Sequence, residues 1–367
     1  MSRKAPSLDQ CPTPLQHRDR IVLGHGSGGR MTDDLIQRFF RPLLDNPFLG
    51  AADDSALLPL QEMLASGSSE ETLASAANHH LAFSTDSHVV QPLFFPGGDI
   101  GRLSICGTVN DLAMVGAQPL WLSAGFILEE GFPTDDLTRI VQSMRAAADE
   151  AGVMIVAADT KVAERGKVDG VYINTSGVGG VPAGRNTCAS NIRAGDAVIV
   201  SGTLGDHGIA VLAARGELAF ETQVCSDMAP LNGLVESLFA RTKEVHALRD
   251  PTRGGLASTL NELARSSGVR IVLQEDAMPV RPQVEAACEM LGFDPLHVAN
   301  EGKLVAFVAA EQADDALDVM RAHPYGKDAC RIGFVEDHPR AGVVMRTAIG
   351  GLRVVDTPAG ELLPRIC

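Results

Sequence analysis

Apolar and polar residues alternate along the first half of the chain with a period that switches repeatedly between that of a strand and that of a helix. One expected helix follows Pro133 and begins at Thr134 with two acidic residues behind it, which suits the positively polarised start of a helix. We therefore predict strands at 81–85, 120–128, 153–157 and 171–181, with helices at 99–116 and 134–150.

The pattern breaks near residues 179–184, which contain three glycines and Pro182, and a new apolar run begins after residue 196. We place a domain boundary there. In the second half we predict helices near 206–218, 228–246, 254–267, 281–291 and 311–322, and strands near 197–201, 269–274, 303–309 and 331–346. The expected fold is α+β, with a disordered lead at 1–18, an N-terminal domain at 19–183, a C-terminal α+β domain at 184–355 and a mobile tail at 356–367.

The composition supports two domains of ordinary size. At 367 residues, 45% of them hydrophobic, the chain exceeds what a single core usually supports. No stretch reaches about 18 uninterrupted apolar residues, and the first residues lack the apolar core of a secretion signal. We therefore expect a cytoplasmic protein that does not bind a membrane.

The charge and the cysteines narrow the expected partners. The formal net charge of −15 repels nucleic acid, and one Trp with two Tyr is too few for a base-stacking surface. The seven cysteines include no CxxC pair, so we expect reduced thiols and neither a zinc site nor a disulfide framework. Small molecules, metal-bound phosphates and other proteins are the partners that fit.

Acidic and amide side chains cluster in short segments that we place at the ends of predicted strands. These segments are Asp53–Asp54, Asp86, Asn110–Asp111 and Asp159–Thr160. Oxygen ligands of this kind suit Mg²⁺, which is commonly shared between a few carboxylates and the phosphates of a nucleotide. An isolated aspartate at such a place more often caps a helix or closes a turn, so the prediction rests on the set.

Glycine-rich segments offer candidate phosphate contacts, although the chain has no P-loop motif. Residues 24–29 (GHGSGG) present backbone N–H groups without Cβ atoms, and a flexible turn is the alternative reading. Residues 250–255 (DPTRGG) lead into a predicted helix whose start could meet an anion. Residues 205–208 open another helix similarly, and His207 there is interpreted as a surface or packing residue in preference to a base.

The last segment, 361–367 (ELLPRIC), carries Cys367, and a thiol on a mobile arm could visit more than one active site. A terminal cysteine without function is the alternative. Lys161 follows Asp159–Thr160, and Glu301 precedes a predicted strand. For both charged residues a solvated ion pair is the alternative to a catalytic role.

Six segments read in order resemble the HypE family of hydrogenase maturation proteins, which belongs to the aminoimidazole ribonucleotide synthetase-like ATP-binding superfamily. They are 24–29 (GHGSGG), 84–90 (STDSHVV), 110–117 (NDLAMVGA), 159–162 (DTKV), 250–255 (DPTRGG) and 300–303 (NEGK). The final 364–367 (PRIC) looks like the signature tail of that family, and with DTKV it separates the family from its purine-pathway and selenophosphate-synthetase relatives. Two features depart from the pattern of that family: the lead at 1–18 extends beyond its core, and Ala158 stands where a glycine is expected.

The resemblance implies a homodimer whose N-terminal domains share an ATP site, a carbamoyltransferase partner, HypF, and an iron-carrying HypC–HypD complex that accepts cyanide. It implies that Cys367 is the carrier, with Lys161 and Glu301 as the catalytic pair around the bound tail. The residues it assigns to the nucleotide are Gly26, Gly28, Gly29, Asp86, Asn110, Asp159 and Thr160, and those it assigns to magnesium are Asp53, Asp54, Asp86 and Asp111.

The implied reaction is ATP-dependent dehydration of an S-carbamoyl group on Cys367 to a thiocyanate, which supplies the cyanide ligands of the hydrogenase iron. Glu301 is the better candidate base, while Lys161 could steady the developing oxygen charge or orient the amide. Two alternatives stay open. One is another synthetase of the superfamily, of the purine or selenophosphate type, and the other is a carrier protein that ATP switches between docked and free tails.

Overall fold

The computed structural model describes residues 21, 25, 29–44, 46, 48, 53–59, 80–216, 223–358, 363 and 365–367. The expected lead at 1–18 and the predicted phosphate contacts Gly26 and Gly28 lie outside these residues. The described residues mix helices with two large sheets, which confirms the α+β class predicted from the changing period.

The described strands of the first half all precede residue 182. They are β1 (Ala56–Pro59), β2 (His80–His88), β3 (Phe94–Phe95), β4 (Gly98–Asp99), β5 (Gln118–Glu129), β6 (Met154–Ala163) and β7 (Val171–Val181). Strands β3 and β4 pair with each other, and the other five form a sheet in the order β1-β2-β7-β5-β6. Neighbours in this sheet are antiparallel except β5 and β6, which are parallel, so the chain must cross over between them through a helix.

The first half also contains α1 (Arg30–Leu35) and α2 (Arg41–Leu44), joined by a π-helical turn, followed by α3 (Ile100–Met114) and α4 (Thr134–Ala151). Helix α3 begins where the Asp99 carboxylate accepts the N–H groups of Gly101 and Arg102, at 2.7 and 3.2 Å. All but two residues of α3 are buried, since it packs on β2, β7 and α4 and also reaches the second half of the molecule. Helix α3 therefore positions side chains between the two halves.

The second sheet contains the strands after residue 196. They are β8 (Ala197–Val200), β9 (Val245–Arg249), β10 (Arg270–Gln274), β11 (Val305–Val308), β12 (Cys330–Glu336), β13 (Gly342–Arg346) and β14 (Leu352–Val354). Their order is β14-β13-β10-β12-β8-β11-β9, with β10 and β13 parallel. The helices are α5 (Asp206–Ala214), α6 (Asn232–Arg241), α7 (Gly255–Ser267), α8 (Pro282–Leu291) and α9 (Ala313–Ala322).

Two sequence predictions in this half were wrong. The helix predicted at 228–246 is shorter, and the residues that follow it form β9, whose first four residues are buried against β11. Pairing with a distant strand outweighs the local helical pattern there. The strand predicted at 331–346 is two strands that lie on opposite sides of β10, separated by a loop that contains Pro339, which has no N–H to donate to a sheet.

Strand β6 forms one edge of the first sheet and extends past its predicted end at residue 157. Nine of its ten residues are exposed, including Met154, Val156 and Val162, each more than 60% exposed. Apolar side chains on an edge strand form a surface that another element commonly covers. A search of the described helices found none that combines the length and the apolar character needed to cross a bilayer.

Candidate functional site

Three aspartates from distant parts of the chain meet between the two halves of the molecule. Asp54 precedes β1, Asp111 lies near the end of α3 and Asp250 directly follows β9. One carboxylate oxygen of each lies within 4.8 Å of the other two. The Ser84 hydroxyl on β2 donates to Asp111 Oδ2 at 2.7 Å, and Arg249 Nη1 donates to Asp54 Oδ1 at 2.5 Å. We call Asp54, Asp111 and Asp250 the acidic cluster.

Burial and repulsion from neighbouring carboxylates raise the pKa values of these three carboxyl groups. Burial, with the charge of Asp54 adding to it, raises the pKa of Asp250 from 3.8 to about 8. Burial also raises the pKa of Asp111 well above its usual range, with repulsion from Asp250 and Asp86 as the next causes. The pKa of Asp54 is raised by burial although Arg249 opposes the shift. Such a set of hard oxygen donors with excess negative charge fits a divalent cation such as Mg²⁺.

The four aspartates predicted to bind magnesium do not share one position. Asp54 and Asp111 belong to the acidic cluster, whereas Asp53 lies behind it, 3.9 Å from Arg249 Nη2. Asp86 is within β2, where its carboxylate lies 3.5 Å from His88 Nε2 and close enough to raise the pKa values of Asp111 and Glu301. Asp250 was part of the 250–255 segment predicted to lead into a helix and had no predicted metal role; the strand that positions it, β9, was not predicted either.

A cavity of about 260 Å³ adjoins the acidic cluster and reaches the start of α7. Gly254, just before α7, and Gly255, its first residue, have φ of 78° and 63°, a conformation that favours glycine. In the first turn of α7 the buried Ser258 hydroxyl has no hydrogen-bond partner among the described residues. A helix N-terminus with an unsatisfied hydroxyl, next to Arg253 and the acidic cluster, fits a metal-bound phosphate chain.

The described end of the tail lies in the same cleft of its own chain. The backbone N–H of Val89 donates to Cys367 O at 3.2 Å, and that of Gln91 donates to Arg365 O at 3.1 Å. The Arg365 guanidinium pairs with Asp169 at 2.5 Å, and the Ile366 side chain is 3% exposed. These contacts dock the tail beside β2, and its expected mobility stays a prediction.

Cys367 is half-buried, and the docked tail places it among charged side chains. Burial raises the pKa of its thiol well above the ordinary value, an effect that Arg253 opposes and that Glu301 and Asp86 strengthen. The Cys367 thiol donates a hydrogen bond to the Glu301 carboxylate, which helps to raise the pKa of the thiol, and the Arg253 guanidinium donates to the sulfur, which helps to raise the pKa of Arg253. The structure therefore brings Cys367 to Glu301, its predicted catalytic partner, and to Asp86, which was predicted to bind the nucleotide and magnesium.

Glu301 is held rigidly and is 4% exposed. Its backbone N–H donates to Asp227 Oδ1 at 3.0 Å, and Asp227 is itself paired with Lys303 at 3.0 Å. Burial, followed by repulsion from Asp86, raises the pKa of the Glu301 carboxyl well above its usual range, and its Oε1 atom has no hydrogen-bond partner among the described residues. A carboxylate in this setting is a stronger base than a solvated one.

Asn110 was predicted to contact the nucleotide, and its amide is engaged within the protein. Its Nδ2 donates to Ala229 O at 3.1 Å and to Glu301 O at 3.4 Å, while Oδ1 accepts the N–H of Leu231 at 2.8 Å. In this structure Asn110 connects α3 to the segment that carries Glu301. Direct contact with a nucleotide stays a prediction, as it does for Gly29, which is buried just before α1.

Lys161, Asp159 and Thr160 are not brought to the cleft of their own chain. They lie within β6, where the structure corrects their predicted place at a strand end, and they pair in parallel with residues 125–127 of β5. The Lys161 side chain is 71% exposed, and its Nζ contacts Asp159 Oδ2 at 2.7 Å. This single chain thus shows the solvated ion pair that was the alternative reading for Lys161.

His207 was interpreted as a surface or packing residue, and it contacts the tail. Its Nε2 lies 2.7 Å from Ile366 O, and its side chain is fully buried. Arg253 was likewise quoted without a role, although it contacts Cys367. Both contacts join residues more than 100 positions apart, so no local pattern could have indicated them.

Comparisons with known proteins identify the family. The model of the AIR synthase related protein N-terminal domain matches residues 53–181, and that of the C-terminal domain matches residues 193–346. Over 95% of each chain, the sequence is 55% identical to the carbamoyl dehydratase HypE of Cupriavidus necator. The chain belongs to the HypE family. The family predicted from the motifs is thereby confirmed, as is the two-domain architecture of its superfamily.

Solved HypE structures share the fold of this family member. A chain in the crystal structure of a HypE–HypF complex superposes with a TM-score of 0.80 at 49% identity, covering 88% of this chain and 99% of that one. The crystal structure of HypE in complex with ATP superposes with a TM-score of 0.76 at 47% identity, covering 95% and 100% of the two chains.

Proposed function

We propose that this protein uses ATP to remove water from an S-carbamoyl group on Cys367, leaving a thiocyanate that supplies cyanide ligands for the iron of a nickel–iron hydrogenase. The observation that carries the proposal is the docking of Cys367 against the buried Glu301 in a structure that also gathers the three carboxyl groups of the acidic cluster. A thiol without a catalytic or carrier role has no need of such a site. The names of the HypE relatives support the same reaction.

The chemistry explains the need for ATP. The carbonyl oxygen of S–C(=O)NH₂ is a poor leaving group until it receives the γ-phosphoryl group. Phosphate then departs with that oxygen, and the nitrogen loses both protons as the C≡N bond forms. One proton balances the phosphate as hydrogen phosphate and the other is released, so the products are ADP, phosphate and cysteinyl thiocyanate.

Glu301 is the residue best placed to take a nitrogen proton. It contacts the docked sulfur, its raised pKa makes its carboxylate a better base, and its backbone is fixed by Asp227 and Asn110. Arg253 adds a positive charge beside the reacting group. Holding the tail in a cleft that excludes bulk water aligns the reacting atoms, which is a large share of what catalysis of phosphoryl transfer requires.

We infer that Asp54, Asp111 and Asp250 would hold Mg²⁺, with Asp86 at the edge of the same site. When bound, the cation would neutralise charge on the phosphates of ATP. The Ser258 hydroxyl and the start of α7 would contact the phosphate chain. The ATP complex of a 47% identical HypE supports nucleotide binding in this fold.

A second copy of the chain would complete the site. Strand β6 presents Met154, Val156 and Val162 together with Lys161 on an open edge of the sheet. A twofold pairing would bury this apolar surface and bring Lys161 towards the cleft of the other subunit. This arrangement supports the homodimer and the shared site implied by the sequence motifs.

The partners follow from the same reaction. A carbamoyltransferase, HypF, would load Cys367, and the HypE–HypF complex of a 49% identical chain supports that partnership. An iron-carrying HypC–HypD complex would accept the cyanide. A carrier thiol that must stay reduced fits the cytoplasm expected from the sequence.

The experiment is the mass of the tail peptide after loading with HypF and carbamoyl phosphate, before and after addition of Mg·ATP. The proposal predicts gain of one carbamoyl group, followed by loss of one water at Cys367. A loaded peptide that Mg·ATP leaves unchanged would instead indicate a carrier switched by ATP. Absence of loading would favour another synthetase of the superfamily.

A further inference from the structure

His207 is buried at the start of α5 with both ring nitrogens engaged. Its Nε2 lies 2.7 Å from Ile366 O and its Nδ1 lies 2.8 Å from Ser226 Oγ. A carbonyl oxygen only accepts, so Nε2 carries the proton and donates it to Ile366 O, while Nδ1 accepts from the Ser226 hydroxyl. These contacts assign one tautomer to His207.

Ser226 is anchored, so it orients the imidazole. Its backbone N–H donates to Pro96 O at 2.8 Å, and its hydroxyl oxygen accepts the N–H of Met228 at 3.2 Å. The Phe95 ring meets the edge of the imidazole at 5.5 Å and 88°. Burial lowers the pKa of His207, which keeps the ring neutral and makes it a directional donor.

The bond to Ile366 O controls the one peptide plane that aims Cys367. The six atoms of a peptide unit lie near one plane, so fixing Ile366 O also fixes the N–H and Cα of Cys367. The neighbouring tail carbonyls, those of Arg365 and Cys367, are held by Gln91 and Val89 of the segment after β2. His207 therefore holds the tail from the α5 side, and the rotation about Cα–Cβ remains as the main freedom of the sulfur.

We propose that His207 is a positioning residue, whose Nε2–H fixes the Ile366–Cys367 peptide so that the sulfur and any group it carries face Glu301. This role rests on the proposed dehydration for its catalytic meaning, but the docking it describes is independent of the chemistry. The substrate-positioning effect is large in principle, since a displacement of about 1 Å can cost on the order of 100-fold in rate.

The test compares His207→Leu, which removes the donor, with His207→Gln, whose side-chain amide can donate from a similar reach. Full-length protein is loaded with HypF and carbamoyl phosphate, and single-turnover loss of water from the tail peptide is followed by mass after Mg·ATP is added. We expect His207→Leu to dehydrate roughly 10- to 100-fold more slowly than the parent, and His207→Gln to stay within about fivefold. His338→Leu, in the loop between β12 and β13, is the matched control and should keep the parent rate.

A second readout does not depend on the reaction. The alkylation rate of unloaded Cys367 by iodoacetamide, read on the tail peptide alone, should rise in His207→Leu and stay near the parent rate in His207→Gln. Ser226→Ala gives the same direction with a smaller change if the leucine variant does not fold. The inference would be overturned if His207→Leu dehydrated and was alkylated at the parent rates. If only Ser226→Ala folds, parent rates in that variant would have the same meaning. Equal rates in His207→Leu and His207→Gln would also overturn the inference. Failure of the parent to dehydrate would reject the proposed function, while the alkylation comparison would still test the docking.

Discussion

Glu301 and Lys161, which the sequence motifs assign to one catalytic pair, lie in opposite surroundings. Glu301 is 4% exposed, bonded through its backbone to both halves of the molecule and in contact with Cys367. The Lys161 side chain is 71% exposed on the edge strand β6, and its partner is Asp159 of the same strand. The surroundings of Glu301 are built by a single chain, whereas the surroundings of Lys161 are exposed to solvent.

The difference teaches which parts of the site one chain can build. Burial gives Glu301 its raised pKa, and this requires the chain's own packing only. Lys161 sits among exposed apolar side chains on β6, whose outer edge pairs with no other strand among the described residues, and a symmetric partner commonly covers such a surface. We therefore expect an active site that one subunit prepares and a second subunit completes.

The largest expected effect is that of Cys367→Ser. A serine oxygen is a poor substitute for the thiolate that accepts and later releases the group, so we expect no detectable cyanide transfer. The measurement is transfer to the HypC–HypD complex. Cys188→Ser changes a half-buried cysteine in the segment before β8 and should transfer normally. Normal transfer by Cys367→Ser would contradict the carrier role.

Glu301→Gln should separate loading from dehydration. The amide keeps the size of the side chain but cannot take a proton, so dehydration should slow by roughly 100- to 10,000-fold while loading by HypF continues. Single-turnover mass measurements on the tail peptide report both steps. Glu311→Gln, on the exterior near α9, is the matched control. A Glu301→Gln rate close to that of the parent would remove Glu301 as the base.

Val156→Lys tests whether the exposed edge of β6 pairs with a second subunit. A charge in the middle of β6 opposes burial of that edge, so the variant should elute as a monomer and dehydrate at least about tenfold more slowly, because Lys161 would then reach no second cleft. Light scattering after size-exclusion chromatography gives the mass. Docking of Cys367 in its own chain, read by its alkylation rate, should be unchanged. A monomer with full dehydration activity would show that one chain suffices.

Asp250→Asn should raise the Mg²⁺ concentration needed for half-maximal activity by about tenfold or more, since it removes one oxygen charge from the acidic cluster. Titration of ATP-dependent dehydration with Mg²⁺ measures this effect. Asp328→Asn, in the loop before β12, is the control. An unchanged Mg²⁺ requirement would place the cation elsewhere.

The smallest expected effect concerns how the thermal stability of the Asp250→Asn variant changes with pH. The folded-state pKa of Asp250 is raised from 3.8 to about 8, so the metal-free folded protein binds more protons than the unfolded chain between these values. Its contribution to stability is therefore present below pH 3.8 and is lost as pH rises towards 8. We expect the Tm of metal-free Asp250→Asn to fall less with pH than that of the parent. Parallel Tm curves would contradict this assignment.

The sequence predicted those parts of the fold that depend on local pattern. The helix expected at 134–150 is α4, because its apolar residues repeat at helical spacing and Asp135 and Asp136 lie in its first turn. Strand β9 was missed because its partner β11 is about 60 residues away. Long-range pairing outweighed the local preference in that segment.

The same distinction applies to the site. Motifs indicated Cys367, Glu301, Asp54 and Asp111 because each stands in a short segment of characteristic composition. They could not indicate that the tail folds back onto His207, or that the Asn110 amide forms hydrogen bonds with Glu301 O and the Leu231 N–H. Those contacts arise from packing of the two halves.

The division of the site between two chains is tested most directly by mixed dimers of Glu301→Gln and Lys161→Ala subunits, one of them isotope-labelled so that its tail peptide can be distinguished. If each tail docks in its own chain and receives Lys161 from the partner, then in the mixed dimers every Lys161→Ala tail and no Glu301→Gln tail should become thiocyanate. Homodimers of either variant should convert neither. Mixed dimers in which no tail is converted, or in which the Glu301→Gln tails are converted, would contradict this arrangement.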